Sequence, residues 1–270
     1  MDDYLEANRR RWDELVPHHL SSAYYDIAAF RAGRTSLHPM ELEEVGDVRG
    51  RKLLHLQCHF GLDTLSWARE GAAVTGVDFS PVAISAARKL AKELEIETRF
   101  IEADVCSLPS ALEEGFDIVF TSYGVVFWLP DLGAWARSAA HCLVPGGTFY
   151  IVEFHPICGI FANGPDISEP IVANPYFPAA EPLRFDEDGS YACPEAALRD
   201  KTTFTWTHPL SEVINSLIEA GLRIEFIHEF PFSIEKWFAF MERADDGLFR
   251  PVKFDRCIPF LYSIRATKPS

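Results

Sequence analysis

Residues 53–81 read LLHLQCHFGLDTLSWAREGAAVTGVDFSP, and this stretch decides the fold. Its apolar run from Leu53 to Cys58 is typical of a buried strand, and the residues from about Leu62 to Glu70 show a helical pattern that stops at Gly71. A second apolar strand is predicted from Ala73 to Asp78. Strand, helix and strand in this order predict a parallel βαβ unit.

The same alternation continues to about residue 153. Ser80 can be the N-cap and Pro81 the first residue of a helix that runs through about Leu94. The further predicted elements are strands at Arg99–Ala103, Phe116–Thr121 and Thr148–Phe154, a helix around Leu132–Cys142, and a turn at Pro145-Gly146-Gly147. Right-handed crossovers between five such parallel strands produce a doubly wound α/β sheet, whose ligands bind beyond the carboxyl ends of its strands.

The chain is predicted to divide into four parts. These are a helical lid (1–50), a cofactor-binding α/β core (51–156), a substrate cap (157–206) and a C-terminal part that completes the sheet (207–270). The lid contains an amphipathic helix whose shared face carries Leu5, Asn8, Trp12 and Leu15. The cap is rich in proline and aromatic residues and poor in periodicity, which is typical of a binding element. The C-terminal part is predicted to contain a helix at Leu210–Ala220 and strands at Arg223–Glu229 and Pro259–Ala266.

Charge and composition exclude several classes of protein. Forty acidic and 25 basic side chains give a net charge of −15, which disfavours binding to nucleic acid or anionic lipid. No apolar stretch approaches the roughly 18 residues of a membrane span, and the first residues lack the features of a signal peptide. The six cysteines form no CxxC pair and are expected to be reduced. We therefore expect a cytoplasmic protein without nucleic-acid or membrane partners, either a monomer or a homodimer.

The turn between the first predicted strand and helix, Gln57 to Gly61, is a candidate ligand cradle. Free backbone N–H groups at a helix N-terminus favour a polar or anionic ligand. The turn contains one glycine, so the GxGxxG pyrophosphate fingerprint is absent, and this disfavours NAD and FAD. Asp78 ends the second strand 17 residues after Gly61, near the spacing at which a carboxylate binds ribose hydroxyls. A ribose without a pyrophosphate fits both observations.

Three segments resemble motifs of the class I S-adenosylmethionine-dependent methyltransferases: LLHLQCHFG at residues 53–61, Val77-Asp78-Phe79-Ser80, and Glu102-Ala103-Asp104-Val105. The resemblance covers most of residues 53–153 and includes Phe116–Val119 and the turn Leu143–Gly147. In the first motif Gly61 is the third glycine, whereas His55, Gln57 and His59 stand where the family has an acidic residue and two glycines. A bacterial subgroup of the family has a similar LHLQCHFGLDTLS stretch and an N-terminal helix that bears Asn and Trp.

The resemblance implies a Rossmann-like, mostly parallel sheet of seven strands, methyltransferase activity and S-adenosyl-L-methionine as the cofactor. Asp78 would bind the ribose, Phe79 would cover the adenine and Asp104 would accept from its amino group. The cofactor-binding residues implied or inferred are Trp12, Gln57, Cys58, Gly61, Asp63, Asp78, Phe79, Ser80, Asp104, Val105, Ser122 and Tyr123.

Two of these positions carry two interpretations. Asp63 either replaces the lost acid as partner of the cofactor's ammonium group, or is an N-terminal charge that favours the helix dipole. Trp12 either packs in the core or lies in a lid over the cofactor. His55, between two leucines of a buried strand, is interpreted as a core histidine, and His18-His19 as a solvated turn beside the lid.

Methyl transfer is an in-line displacement, so the main task of the enzyme is to hold two groups in alignment. A general base is needed only when the nucleophile starts protonated. His155, directly after the fifth predicted strand, and His208, at the end of the cap, are the candidate bases, although His155-Pro156 also fits the start of a turn. His155 and Cys158 have zinc-like spacing without a second pair, so no metal is predicted.

The predicted function is therefore a methyltransferase that uses S-adenosyl-L-methionine on a small acceptor, partly aromatic or apolar. Two alternatives remain at this point. The chain could bind the cofactor without catalysis, because its first motif departs from the family pattern, or it could be a nicotinamide-dependent oxidoreductase, which the missing glycines disfavour.

Overall fold

A computed structural model describes residues 3–110, 112 and 115–270. In this part of the chain seven strands form one sheet. The strands of this sheet are β1 (Lys52–Leu56), β2 (Ala73–Asp78), β3 (Arg99–Glu102), β4 (Phe116–Ser122), β5 (Leu143–Phe154), β8 (Arg223–Phe230) and β11 (Leu261–Thr267). Their spatial order is β3-β2-β1-β4-β5-β11-β8. The first five are parallel, and β11 runs antiparallel to both β5 and β8. The predicted seven-stranded, mostly parallel sheet is confirmed.

Helices cover the two faces of the sheet. They are α1 (Asp3–Ser21), α2 (Ile27–Arg31), α3 (Pro39–Val45), α4 (Leu62–Arg69), α5 (Pro81–Glu93), α6 (Leu132–Cys142) and α7 (Leu210–Glu219), with short 3-10 helices at Val105–Ser110, Val126–Trp128 and Pro156–Ile160. β1 is central and buried from Leu53 to Leu56, as a strand covered on both faces must be. Within the described residues no helix is both long enough and apolar enough to cross a membrane.

Two predictions about the fold are corrected. β5 begins at Leu143 rather than Thr148, because Leu143 pairs with Phe116 and the strand continues through the expected turn. Gly146 has a φ of 78° and donates its N–H to the Lys268 carbonyl at 2.8 Å, which holds this segment against the sheet. The cap is not free of regular structure either. It contains β6 (Leu183–Asp186) paired with β7 (Thr202–Thr205), and a second hairpin, β9 (Met241–Arg243) with β10 (Phe249–Pro251), follows β8.

Helix α1 is fixed to the cap by hydrogen bonds rather than by apolar packing alone. The Asn8 amide donates to the Phe204 carbonyl and accepts from the Phe204 N–H, both at 2.8 Å. The Asn8 side chain thus forms with β7 the pair of hydrogen bonds that a neighbouring strand would form. The buried Arg11 guanidinium donates to the carbonyls of Glu187 at 2.6 Å and Gly189 at 2.8 Å. Lid and cap therefore form a joint cover, although the division of the chain into four parts stays a prediction.

Candidate functional site

A cavity of about 980 Å³ lies beyond the carboxyl ends of the parallel strands, at the predicted ligand edge. One wall comes from the core: the Gln57–Gly61 turn and the ends of β2, β3 and β4. The other wall comes from α1 and the segment after it, from Tyr191 of the cap, and from residues 234–249. The cavity has the size of a site for small organic ligands.

The turn after β1 keeps a left-handed backbone at all three positions where the methyltransferase motif has glycine. The φ angles are 54° at Gln57, 50° at His59 and 83° at Gly61. A non-glycine residue in this region costs about 1–2 kcal/mol, so Gln57 and His59 keep the turn at some cost. Glycine is required at 61, because a Cβ there would lie 2.7 Å from the Phe100 ring.

Asp78 ends β2 and connects the turn to the next helix. Its carboxylate accepts the His59 N–H at 2.8 Å and the Ser80 N–H at 2.9 Å. The residue is 7% exposed, and burial raises the pKa of Asp78 to about 6 despite these hydrogen bonds. Phe79, the next residue, also lines the cavity. A buried carboxylate and an aromatic side chain thus lie side by side at the site predicted for a ribose and its base.

Asp104 and Val105 line the cavity after β3, as predicted. Asp104 Oδ1 accepts the Cys106 N–H at 3.0 Å, which holds the carboxylate at the start of the 3-10 helix. Cys58 is buried in the same wall, and burial raises the pKa of its thiol. Cys58 is therefore a neutral wall residue.

Polar side chains converge between α4 and the end of β4. Ser122 Oγ donates to Asp63 Oδ2 at 3.1 Å, and Gln57 Nε2 donates to the Val125 carbonyl at 3.0 Å. Gln57 Oε1 and the Tyr123 hydroxyl are buried and have no hydrogen-bond partner among the described residues. Because buried polar atoms are normally paired, these two atoms are suited to the polar part of a ligand.

His55 does not carry the negative charge of the acid that it replaces. Its Nδ1 lies 2.8 Å from Thr64 Oγ1, and burial lowers the pKa of His55 to about 4. The imidazole is neutral and bonded within the core, as interpreted from the sequence. Asp63, which accepts the hydrogen bond from Ser122, is a carboxylate that lines the cavity near this position.

The loop after β4 is held by a buried glutamate. The Glu153 carboxylate accepts the N–H groups of Gly124, Val125 and Val126, with 2.7 Å to Val125 and 3.0 Å to Val126. It also accepts the Phe154 N–H at 2.6 Å. Burial nevertheless raises the pKa of Glu153. Its role is to position the loop that carries Trp128 into the cavity wall.

Three predicted site residues do not reach the cavity. Ser80 is fully buried, because its hydroxyl accepts the Ala83 N–H at 3.0 Å as N-cap of α5 and donates to Asp13. His155 Nδ1 accepts the Ile157 N–H at 3.1 Å, and its Nε2 lies 3.0 Å from Glu229 Oε1. His208 Nε2 lies 2.8 Å from the Leu129 carbonyl oxygen. Both imidazoles are buried and neither lines the cavity, so this structure does not support the expectation that either faces an acceptor, and a catalytic role for them stays a prediction.

Trp12 lies in the cover over the cofactor turn. Its ring contacts His59 edge-on with centroids 5.2 Å apart and Trp128 with centroids 5.5 Å apart. The lid interpretation of Trp12 thus has geometric support. The interpretation of His19 as solvated is wrong: it is fully buried, with Nδ1 3.1 Å from His59 Nε2 and Nε2 2.8 Å from Ser190 Oγ.

Sequence reasoning missed most of the outer wall. Tyr24, Tyr25, Tyr191 and Glu235 all line the cavity. The Tyr24 hydroxyl donates to Glu235 Oε1, and the hydroxyls of Tyr25 and Tyr191 are hydrogen-bonded to each other. The adjacent tyrosines after the His-His pair were the available signal, but their partners lie more than 160 residues away in sequence.

Residues 53–147 match the family model described as "Methyltransferase domain". A ubiquinone biosynthesis O-methyltransferase of Alkalilimnicola ehrlichii is 34% identical over 132 residues, which cover 47% of this chain and 53% of that enzyme. The chain therefore spans about half the length of this curated relative.

Solved structures share the fold over a larger part of the chain. An S-adenosylmethionine-dependent methyltransferase from Mesorhizobium loti superposes with a TM-score of 0.57 at 20% identity, covering 92% of this chain and 99% of that one. The glycopeptide N-methyltransferase MtfA in complex with S-adenosylmethionine gives a TM-score of 0.55 at 17% identity, covering 85% and 92%. At these identities the likeness establishes the Rossmann-like methyltransferase fold.

Proposed function

We propose that this protein, whose residues 53–147 match a methyltransferase domain, methylates a small, partly aromatic or apolar acceptor with S-adenosyl-L-methionine. One observation carries the proposal. The turn after β1 has a left-handed backbone at positions 57, 59 and 61, where the motif that it resembles has glycine, and its His59 N–H is hydrogen-bonded to the carboxylate of Asp78. Such a turn and carboxylate suit a ribose.

The cavity residues fit this cofactor. Asp78 would accept from the ribose hydroxyls, Phe79 would cover the adenine, and Asp104 would accept from the adenine amino group. Asp63 and the unpartnered Gln57 Oε1 supply a charge and an acceptor for the ammonium group, so the motif's lost acid is replaced from the start of α4. When bound, the cofactor supplies a methyl group on a sulfonium. Transfer of this methyl group depends on the alignment of the sulfonium with the acceptor.

The outer wall supports the acceptor class. Tyr24, Tyr25, Tyr191 and Phe249 give this wall an aromatic surface, which suits an acceptor with apolar or aromatic parts. The net charge of −15 continues to disfavour nucleic acid. A cytoplasmic location and the choice between monomer and homodimer stay predictions.

Thermal unfolding with two ligands tests the proposal. A ligand that binds only the native state stabilises it by about 2.7 kcal/mol at 100-fold excess over its Kd. S-adenosylhomocysteine is expected to raise the melting temperature, whereas NAD is not. A shift with NAD and none with S-adenosylhomocysteine would overturn the proposal. Cofactor binding without turnover across a broad acceptor panel would instead favour a non-catalytic cofactor-binding protein.

A further inference from the structure

Glu235 follows β8 and lines the cavity from the C-terminal part of the chain. The residue is half-buried, and its Oε1 accepts the hydroxyl of Tyr24 from the segment after α1. Its backbone N–H donates to Ser233 Oγ at 3.1 Å, which fixes the position of the segment. Glu235 is thus a held carboxyl group rather than a mobile surface side chain.

The Glu235 carboxylate has no positive partner within residues 3–110, 112 and 115–270. Burial and the negative charge of Glu153 raise its pKa, whereas hydrogen bonds from Tyr24 and Trp237 lower it; no cation contributes. Carboxylates withdrawn from water are normally paired with a cation. A carboxylate that lines a cavity without one is suited to a cationic ligand.

The position of Glu235 is close to the ends of β4 and β5. The Trp237 ring lies 4.4 Å, centroid to centroid, from Phe154, the last residue of β5. Phe154 in turn contacts Tyr123, directly after β4, at 5.9 Å. These ring contacts place the segment that carries Glu235 beside the ends of β4 and β5, where Tyr123 also lines the cavity.

Aromatic rings surround the carboxylate. Tyr24 contacts Tyr25 with ring centroids 5.0 Å apart and Tyr191 with centroids 5.2 Å apart. All three rings line the cavity. Aromatic faces attract ammonium groups through the negative charge of the ring face. Carboxylate and rings together have the chemistry of a site for an organic cation.

We propose that Glu235 and Tyr24, with Tyr25 and Tyr191, form the acceptor subsite for a small molecule that carries a protonated basic nitrogen. The inference rests on the proposed methyltransferase function and specifies its acceptor. Glu235 also accepts a proton: the N–H bond of the ammonium breaks and an O–H bond forms on the carboxylate. The freed nitrogen lone pair would then form an N–C bond to the methyl group while the C–S bond of the sulfonium breaks, and the thioether S-adenosylhomocysteine would leave. Tyr24 is a positioning residue, since it acts through Glu235.

Two other occupants are possible and each makes a different prediction. Lys236 and Arg243 also line the cavity, but both are exposed, and an anionic acceptor would depend on them. Alternatively, Glu235 would pair with the sulfonium of the cofactor itself. In that case Glu235→Gln would weaken binding of S-adenosylmethionine, which is positively charged at sulfur, but not of S-adenosylhomocysteine.

Calorimetry on the protein saturated with S-adenosylhomocysteine separates these cases. The probes are 2-phenylethylamine, 2-phenylethanol and 3-phenylpropionate, which share a ring and differ in charge. At about pH 8 the amine is charged. We expect the amine to bind at least tenfold more tightly than the alcohol, Glu235→Gln to abolish this preference, and Glu235→Asp to retain part of it. Glu242→Gln, the same change on an exposed carboxylate outside the cavity lining, is the matched control and should keep the preference.

Several results would overturn the inference. The first is that the propionate binds most tightly and that Lys236→Gln abolishes its binding. The second is that none of the three probes binds. The third is an amine preference that survives Glu235→Gln, and the fourth is a selective loss of S-adenosylmethionine affinity in Glu235→Gln. Each of these four results is informative only when S-adenosylhomocysteine binds. If it does not bind the wild-type protein, the proposed function itself fails, so the two failures are distinguishable.

Discussion

The two walls of the cavity are built in opposite ways. On the core wall, Asp78 and Glu153 bind backbone N–H groups of neighbouring strand ends and turns. On the outer wall, contacts join segments far apart in sequence, such as Tyr24 to Glu235 across 211 residues and Asn8 to Phe204 across 196. The core wall is therefore set by local chain geometry, and the outer wall exists only after the cover has assembled. We expect substitutions in the core wall to alter cofactor affinity and substitutions in the outer wall to alter acceptor choice.

The largest effect is expected for Asp78→Asn. Charge-assisted hydrogen bonds to two ribose hydroxyls contribute roughly 1.5–3 kcal/mol each, so S-adenosylhomocysteine affinity should fall by about 100-fold or more. Calorimetry measures this loss. Asp117→Asn is the matched control, because Asp117 also accepts a backbone N–H, from Lys52 at 2.8 Å, but does not line the cavity. Equal affinities in the two variants would remove Asp78 from the site.

The pKa of Asp78 adds a pH dependence with a definite sign. Burial raises the pKa from its ordinary 3.8 to about 6, so the folded protein without ligand favours the protonated form between these values. Protonation of Asp78 therefore contributes to the stability of the folded protein below about pH 4, and this contribution is lost as the pH rises through about 6. Cofactor binding needs the ionised form, so S-adenosylhomocysteine affinity should rise with pH up to about 6 and then level off. A flat profile in the wild type, like that expected of Asp78→Asn, would contradict this assignment.

Glu153→Gln should affect stability and the cofactor wall together. Gln offers one acceptor oxygen where Glu offers two, and its NH₂ group would face N–H donors of the loop after β4. Leaving buried donors unpaired costs about 1–3 kcal/mol each, so we expect the free energy of unfolding to fall by about 3 kcal/mol. Urea unfolding measures this change. A loss below about 0.5 kcal/mol would show that the loop does not depend on the carboxylate.

The core wall could be predicted from the sequence because its signals are local. The apolar run before Gln57 and the position of Asp78 at a strand end locate the turn and the carboxylate within a residue or two. The Ser-Pro pair predicts an N-cap at Ser80, and this prediction is confirmed. The hydrogen bond from the Ala83 N–H to the Ser80 hydroxyl also holds this hydroxyl away from the ligand site. The predicted start of β5 is wrong, because Pro-Gly-Gly is accommodated inside the strand.

The outer wall could not be predicted in this way. A position after β5 fixes where the backbone of His155 lies but not where its ring points, and the ring turns to cap the next 3-10 helix. Because His19 is polar and follows another histidine, the sequence predicts that it is solvated. Its hydrogen-bond partners His59 and Ser190 come close to it only in the folded chain. No sequence pattern marks Glu235 as a site residue, because its contact with Tyr24 exists only in the folded chain.

A smaller effect is expected for the difference in stability between Gly61→Ala and a control glycine-to-alanine variant, and it tests whether the turn is constrained by packing as well as by backbone conformation. Gly61 and Gly221 have nearly equal φ angles, 83° and 86°, but a Cβ at Gly221 meets nothing within 4 Å. Gly221→Ala should therefore cost about 1–2 kcal/mol of conformational strain. Gly61→Ala should cost roughly 1–3 kcal/mol more, because the methyl group overlaps the Phe100 ring. Equal losses on chemical unfolding would mean that Phe100 moves aside freely.

The smallest effect on ligand binding is expected for His155→Ala. The imidazole caps a 3-10 helix and lies next to Glu229, outside the cavity lining, so its loss should lower the free energy of unfolding by about 1 kcal/mol through the missing cap. S-adenosylhomocysteine affinity should change less than twofold, and the amine preference measured for Glu235 should persist. Calorimetry under the same conditions for His155→Ala and Glu235→Gln makes the comparison direct. If His155→Ala lost the amine preference and Glu235→Gln kept it, the acceptor subsite would have to be sought at the end of β5 rather than on the outer wall.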